Sequence, residues 1–194
     1  MAGSMKLGGL LVVAGAVLGA TPVAGQLGPQ QHMTRIGVGG GVSLPLSDAR
    51  QALKSGVNGQ GFLLMNAGGI PLRFNLGYQR FAFKDAVAAG ASGQSTMMSG
   101  VAGLSLDLVH VGPVTPYVMA GVGAFHLKDE LTTGGVTNGV TDTRFGVDGG
   151  AGVRLWVGRL EAFAEGRVQN VWTDAGLIDA KTIRTVPVTF GVLF

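Results

Sequence analysis

Apolar residues recur at every second position along much of this chain, a period typical of β-strands whose two faces meet different surroundings. From Arg144 to Val157 the odd-numbered residues are apolar or small, whereas the even-numbered ones include Asp148 and Arg154. Segments 35–46 and 72–78 show the same contrast. Period two fits these segments better than the helical period of about 3.6 residues, so the sequence predicts an all-β fold.

The predicted strands are long. Soluble sheets use strands of about five or six residues, whereas a tilted strand needs about 9 to 11 residues to cross a bilayer. Most segments that carry the alternation reach that length, which favours strands that span a membrane. The predicted strands are residues 34–46, 57–67, 72–82, 97–109, 115–127, 143–157, 160–172 and 182–194.

The connections between these strands alternate between short and long. Transmembrane barrels have short periplasmic turns and longer outer loops. We therefore predict an eight-stranded antiparallel up-and-down transmembrane β-barrel with both barrel termini on the periplasmic side. The short connections are residues 68–71, 110–114 and 158–159, and the longer ones, which are polar or rich in small residues, are 47–56, 83–96, 128–142 and 173–181.

The N-terminal segment differs from the rest of the chain. Lys6 precedes an apolar stretch at 7–20, and mostly small residues follow as far as Gly25. This layout is typical of a cleavable secretory signal peptide. We therefore predict a signal peptide at 1–25, a short leader at 26–33 and the barrel at 34–194, exported to a bacterial outer membrane. The chain has no cysteine, which excludes structural disulfides.

The inner face of the predicted barrel carries charges of both signs. An eight-stranded barrel is just wide enough inside for side chains to fill, and an unpaired charge there would be costly. We expect a structural lumenal salt-bridge network without an open pore, and a gated proton or ion path is the alternative. The charged set is Arg73, Asp107, Arg144, Asp148, Arg154, Glu161, Glu165 and Arg167.

Glycines share this inner face, and we expect them to make room for the charged side chains. A glycine normally weakens a strand, so its frequent use here indicates a narrow, filled lumen. The chain contains 35 glycines. Those predicted to face the lumen are Gly37, Gly39, Gly41, Gly77, Gly103, Gly146, Gly150, Gly152 and Gly191.

Aromatic residues near the strand ends predict two girdles at the membrane interfaces. Phe62 lies in the middle of its strand and does not fit this pattern. The predicted outer girdle is Phe81, Phe125, Phe145 and Trp172, and the predicted periplasmic girdle is Phe74, Tyr117, Trp156 and Phe194.

A catalytic site is not expected, although one histidine is a candidate general base. His126 lies near the outer end of the predicted fifth strand, while the candidate nucleophiles Ser92, Ser95 and Ser99 lie on a different loop or strand. A nucleophile and its base must come within hydrogen-bond distance of each other, and only the fold decides that. A lipid-modifying hydrolase or acyltransferase therefore remains an alternative.

Ligand-binding motifs are also missing from the sequence. His32 and His110 have no neighbours at metal-ligand spacing, so neither a metal nor a cofactor is expected. The basic residues are dispersed singly, whereas nucleic-acid binders cluster them on one face. The glycine-rich segments 37–41 and 149–152 do not complete a dinucleotide-binding motif.

The C-terminal segment ends in an aromatic residue preceded by apolar residues at every second position, namely Val188, Phe190, Val192 and Phe194. This pattern looks like the assembly signal of outer-membrane barrels. Together with segments 116–124 and 163–167, it resembles the family of outer-membrane β-barrel domain proteins typified by small OmpA-like and OmpX-like barrels. Since no segment follows Phe194, the single-domain form is expected.

The resemblance implies a barrel that is inserted by the outer-membrane assembly machinery with periplasmic chaperones, often without enzymatic activity. It also implies contact with outer-membrane lipid and lipopolysaccharide, and we expect a monomer. The predicted function is structural or surface interaction: membrane integrity, or adhesion-type contacts through the outer loops. A narrow channel or a carrier of a small apolar ligand is a second alternative beside the lipid-modifying enzyme.

Deleting Phe194 should lower the yield of inserted barrel, because this aromatic residue is the part of the C-terminal pattern that resembles the assembly signal. Heat-modifiable migration of outer-membrane fractions measures the folded form. An unchanged yield of the compact form would refute the assignment of Phe194 to the assembly signal.

Overall fold

The computed structural model describes residues 34–47, 49–84, 92–133, 136–158, 160–172 and 182–194. The predicted signal peptide and leader, including His32, lie outside these residues. The elements run in the order β1 (Arg35–Leu46), α1 (Ala49–Ala52), β2 (Gly56–Ala67), β3 (Ile70–Ala82), β4 (Ser92–Asp107), β5 (Val114–Thr133), β6 (Val136–Val157), β7 (Leu160–Trp172) and β8 (Thr182–Leu193).

Each strand pairs antiparallel with the next strand in sequence, and β1 pairs with β8. The sheet is therefore a closed barrel, which confirms the predicted fold. Ile36 and Phe194 exchange two backbone hydrogen bonds of 2.8 and 2.9 Å at the seam. Deleting Phe194 removes this pair as well as the ring, so Phe194→Ala is the variant that tests the ring alone.

The two ends of the barrel differ in their connections. The turn end, which carries residues 34 and 194, has short connections after β2, β4 and β6. Gly68 and Gly69 form the first of these with φ angles of 62° and 89°, and glycine adopts this left-handed region without steric cost. The loop end carries the other connections, and α1 lies there between β1 and β2.

The hairpin of β5 and β6 extends beyond its predicted ends. The sequence predicts a loop at residues 128–142, but Lys128 pairs with Thr141 and the ladder continues to Thr133 and Val136. We call residues 128–142 the hairpin extension. The segment is rich in threonine and valine, which favour strands, but much of it is exposed on both faces and therefore lacks the alternation that reveals a strand in sequence.

Burial alternates along the strands as the sequence predicts. On β6, Asp148 and Arg154 are buried inside the barrel, whereas Val147, Ala151 and Val153 are exposed on its outer face. All the glycines assigned to the lumen lie on the inner face by the same alternation. Among the described residues, no helix is long and apolar enough to span a membrane.

Several predicted girdle residues lie inside the barrel, so that part of the prediction is wrong. Phe81, Tyr117 and Phe125 are at most 2% exposed, because their positions along the strands alternate with the outward residues. Phe62 also points inward and packs edge-on against Phe163, with ring centroids 5.2 Å apart. The predicted girdle residues that are exposed are Phe74, Phe145, Trp156, Trp172 and Phe194.

Glycines make room for these inward rings as well as for charges, which the sequence analysis did not foresee. Gly152 is the cross-strand partner of Tyr117, and a Cβ atom on it would lie 2.6 Å from the ring. Gly191 is the partner of Phe163, with the same 2.6 Å approach. Real Cβ atoms do not come that close, so a larger residue at either position would displace a ring from the lumen.

Apolar side chains close the lumen at the loop end. Ala49, Ala52 and Leu53 pack on Phe81, so α1 and the residue after it form a plug. Beneath the plug lies a second apolar cluster of Met97, Val101, Phe125, Leu127 and Val171. Two apolar clusters therefore lie inside the barrel toward the loop end.

Arginine at Ala151 should destabilise the folded protein, because this residue lies on the outer face near the middle of the span. Arginine facing lipid near the bilayer midplane costs about 2 to 4 kcal/mol. Thr137→Arg, on the exposed hairpin extension, is the control and should have little effect. Equilibrium unfolding in lipid vesicles gives both free energies. Equal effects of the two variants would mean that Ala151 does not face lipid.

Candidate functional site

The carboxylate of Glu165 is the centre of the polar lumen. Arg73 donates to both of its oxygens at 2.9 and 3.0 Å, a bidentate geometry that is among the stronger polar contacts in proteins. Gln60 and the Tyr117 hydroxyl also donate to it at 2.6 and 2.7 Å. The Arg73 guanidinium also lies 3.8 Å from the Phe62 ring centroid. One acid therefore joins β2, β3, β5 and β7.

A second acid, Asp148, continues this network toward the loop end. It accepts hydrogen bonds from Arg167 at 3.1 Å and from Gln169 at 2.9 Å. Arg167 also lies 3.4 Å from Glu165, so it bridges the two acids. Gln169 in turn accepts hydrogen bonds from Gln79 and Thr185. We call the residues around Glu165 and Asp148 the central network.

A separate charge cluster lies at the turn end. Arg154 pairs with Asp107, and Arg35 pairs with Glu161. Arg154 is also 4.0 Å from Glu161 and 4.7 Å from the Tyr117 ring centroid. This cluster, like the central network, holds two acids and two bases, so the formal charges within each balance.

The structure brings most of the predicted charged residues together, but Arg144 is different. Arg73, Asp148, Glu165 and Arg167 meet in the central network, and Asp107, Arg154 and Glu161 meet in the turn-end cluster. Arg144 lies nearer the loop end, where it contacts Asp142 on its own strand at 2.6 Å. Both side chains are partly exposed.

Sequence reasoning missed the neutral members of the network. It assigned Tyr117 to a girdle, although this residue alternates with outward residues in the same way as the buried Thr115 and Met119. The alternation could also have placed Arg35 on the inner face. The uncharged network members that were not predicted are Gln60, Asn75, Gln79, Tyr117, Gln169 and Thr185.

The catalytic alternative depends on His126, and the fold separates it from two of the candidate serines. His126 is exposed on the outer face, whereas Ser95 and Ser99 are buried on the inner face. The imidazole Nδ1 instead lies 2.8 Å from the hydroxyl of Thr143 on the next strand. In the described part of the chain no carboxylate contacts this imidazole, and no group of acids and histidines has metal-site geometry.

The outer face complements the charged lumen. Between the two ends its exposed side chains are mainly apolar, as on β3, where Leu72, Phe74, Leu76 and Tyr78 point outward. Among the described strands, the charged residues that point outward are Arg80, Lys128, Glu130 and Arg184, all toward the loop end. The barrel thus has a polar interior and an apolar belt.

The sequence matches the outer membrane protein beta-barrel domain family over residues 10–184. The chain belongs to this family. The predicted family resemblance is therefore confirmed. A comparison with curated proteins gives no match.

Solved outer-membrane barrels have the same fold. Neisserial surface protein A aligns with a TM-score of 0.59 and 18% identity, over 82% of this chain and 95% of that one. A major outer membrane protein of Thermus thermophilus gives 0.56 and 13%, over 84% and 99%. Ail, the attachment invasion locus protein of Yersinia pestis, in complex with the heparin analogue sucrose octasulfate, gives 0.53 and 15%, over 83% and 97%. At such low identities the likeness shows the fold alone.

Replacing Glu165 with glutamine should destabilise the barrel strongly, because Arg73 and Arg167 would stay buried without their shared acid. Removing one partner of a buried ion pair costs about 3 to 5 kcal/mol. Asp142→Asn is the matched control, since its partly exposed pair with Arg144 should contribute at most about 1 kcal/mol. Urea unfolding in vesicles measures both. Equal losses would contradict a structural role for the central network.

Proposed function

We propose that this protein is a sealed, non-enzymatic barrel of the bacterial outer membrane that supports membrane integrity and makes surface contacts through its loop end. The observation that carries the proposal is the contrast between a charged, filled interior and an uncharged apolar belt. In water this arrangement would be inverted. In a bilayer it buries the polar groups and matches the lipid chains.

The dimensions of the belt support membrane insertion. On β4 the outward residues from Met98 to Leu106 are apolar or small. At a rise of about 3.4 Å per residue and a strand tilt of about 40°, this stretch covers about 21 Å of bilayer. Outer-membrane barrels have an apolar band about 25 Å tall. The belt therefore accounts for most of the required height.

The packing of the lumen supports a sealed barrel over a channel or a carrier. The cavity beside Arg73 and Asp148 is about 10 Å³, which is at the lower limit for one water molecule. Gln169 and Thr189 are fully buried in the same lumen. The plug at α1 adds an apolar barrier at the loop end. A permeating ion or an apolar ligand would have to displace these side chains.

The hairpin extension supports the surface-contact part of the proposal. It projects beyond the loop end, and much of its side-chain surface is exposed, including Val136 and Val140. By analogy with barrels whose longer connections are extracellular, we assign the loop end to the cell surface and the turn end to the periplasm. The hairpin extension therefore offers an exposed surface for such contacts.

Planar-bilayer recording of the purified protein should show no stable open steps, because the filled lumen leaves no continuous water path. An open porin reconstituted in the same bilayer is the positive control. Reproducible single-channel steps would exclude the sealed barrel and favour the channel alternative.

An epitope inserted between β5 and β6 should be labelled by antibody on intact cells, since the proposal places the hairpin extension outside. The same epitope between Gly68 and Gly69 is the matched control and should be labelled only after the outer membrane is permeabilised. The reverse pattern would contradict the proposed orientation. No labelling in either state, with folded barrel present, would contradict exposure of both ends.

A further inference from the structure

A groove runs over the outer face of β2 to β6, below the loop end, with Gly59 and Gly61 at its β2 side. Leu76, Gly100, Ala124 and Phe145 are neighbours in one row across these strands. Leu76 and Phe145 are 73% and 77% exposed and project from the surface, whereas Gly100 and Ala124 leave the space between them open. The groove has a volume of about 540 Å³. Around Leu76, Gly100 and Ala124 the outward surface of the groove is apolar, as an acyl chain requires.

The next row toward the loop end adds polar groups. It consists of Tyr78, Met98, His126 and Thr143. His126 and Thr143, which are joined by a 2.8 Å hydrogen bond, line the groove together with the apolar floor. The groove therefore changes from apolar to polar in the direction of the cell surface.

Two cations lie in the following row. Arg80, Thr96 and Lys128 are neighbours on β3, β4 and β5. Arg80 donates to Gln94 at 2.5 Å, Gln94 donates to Glu130 at 2.7 Å, and Lys128 lies 2.7 Å from the other oxygen of Glu130. This chain of contacts carries a net charge of +1, since two bases face one acid.

Glu130 holds the side chains of the two cations in place but does not neutralise both of their charges. The hydrogen bond from Lys128, and next that from Gln94, hold the pKa of this carboxyl below its ordinary value, so it stays ionised at neutral pH. A guanidinium has five N–H donors and an ammonium has three. Arg80 and Lys128 therefore keep donors for an anion after their contacts with Gln94 and Glu130 are made.

We propose that this groove binds one phosphate-bearing membrane lipid, with its acyl chain over Gly100 and Ala124 and its phosphate at Arg80 and Lys128. The inference rests on the proposed membrane insertion and orientation. Charge complementarity favours a lipid with an anionic headgroup, because the cations lie at the end of the apolar groove. A second copy of the chain is disfavoured, because Arg80, Lys128 and Arg184 make the outward charges near the loop end mainly positive.

Native mass spectrometry of the full-length folded protein, released from phosphatidylcholine bilayers that contain some phosphatidic acid, tests this proposal. The wild type should retain one phosphatidic acid in preference to phosphatidylcholine. Arg80→Gln combined with Lys128→Gln should lower this preference about 25-fold, since each basic residue near a membrane surface contributes about fivefold. Arg50→Gln combined with Arg184→Gln removes the same charge away from the groove and should lower the preference far less.

Filling the groove tests separately whether the acyl chain of the lipid binds there. Gly100→Leu should abolish retention while Arg80 and Lys128 remain, and it should fold because the nearest atom to an added Cβ lies 3.8 Å away on Leu76. Gly149→Leu, on the outer face of β6, is the matched control and should retain the lipid. Soluble inorganic phosphate should not compete, since it lacks the acyl chain.

Several outcomes would overturn the inference. These are equal retention of the two lipids, equal effects of the two charge variants, retention by Gly100→Leu, competition by inorganic phosphate, or a dimer that Gly100→Leu dissociates. Heat-modifiable migration and vesicle insertion are measured on the same samples. A protein that inserts but shows no lipid preference contradicts only this inference, whereas a protein that fails to insert contradicts the proposed function.

Discussion

Closure of the sheet between β1 and β8 is the constraint on which the rest of the structure depends. A closed barrel has no sheet edge, so the strands satisfy one another's backbone hydrogen bonds without help from water. Closure at eight strands also makes the interior so narrow that side chains must fill it. Glycines opposite large rings, as Gly152 is opposite Tyr117, follow from that limit.

The same constraint explains why the lumenal charges occur as networks. Arg73, Asp148, Glu165 and Arg167 are at most 5% exposed, and a buried charge without a partner is strongly unfavourable. Glu165 accepts hydrogen bonds from three strands other than its own, so its contacts hold the wall of the barrel together. The interior therefore combines structural polar contacts with the apolar plug that closes the loop end.

The alternation of the sequence predicted the number, order and facing of the strands, because closure gives the two faces of every strand different surroundings. The hairpin extension was missed where both faces are exposed and the alternation disappears. Tyr117 was wrongly assigned to a girdle because it lies near a strand end. Its alternation with outward residues places it on the inner face. The partnership of Arg73 with Glu165 joins residues far apart in sequence, and their alignment depends on the stagger of the closed sheet, which a single sequence does not reveal.

The central claim is that the apolar side of each strand faces lipid and the polar side faces the interior of the barrel. Nuclear Overhauser effects between lipid methylene protons and protein methyl groups, measured on the folded protein in bilayers, test it directly and without substitutions. The outward methyls of Val147, Val153 and Val192 should show strong effects, and the inward methyls of Met97, Val171 and Leu193 should show none. Equal effects in both sets, or the reverse pattern, would contradict the account.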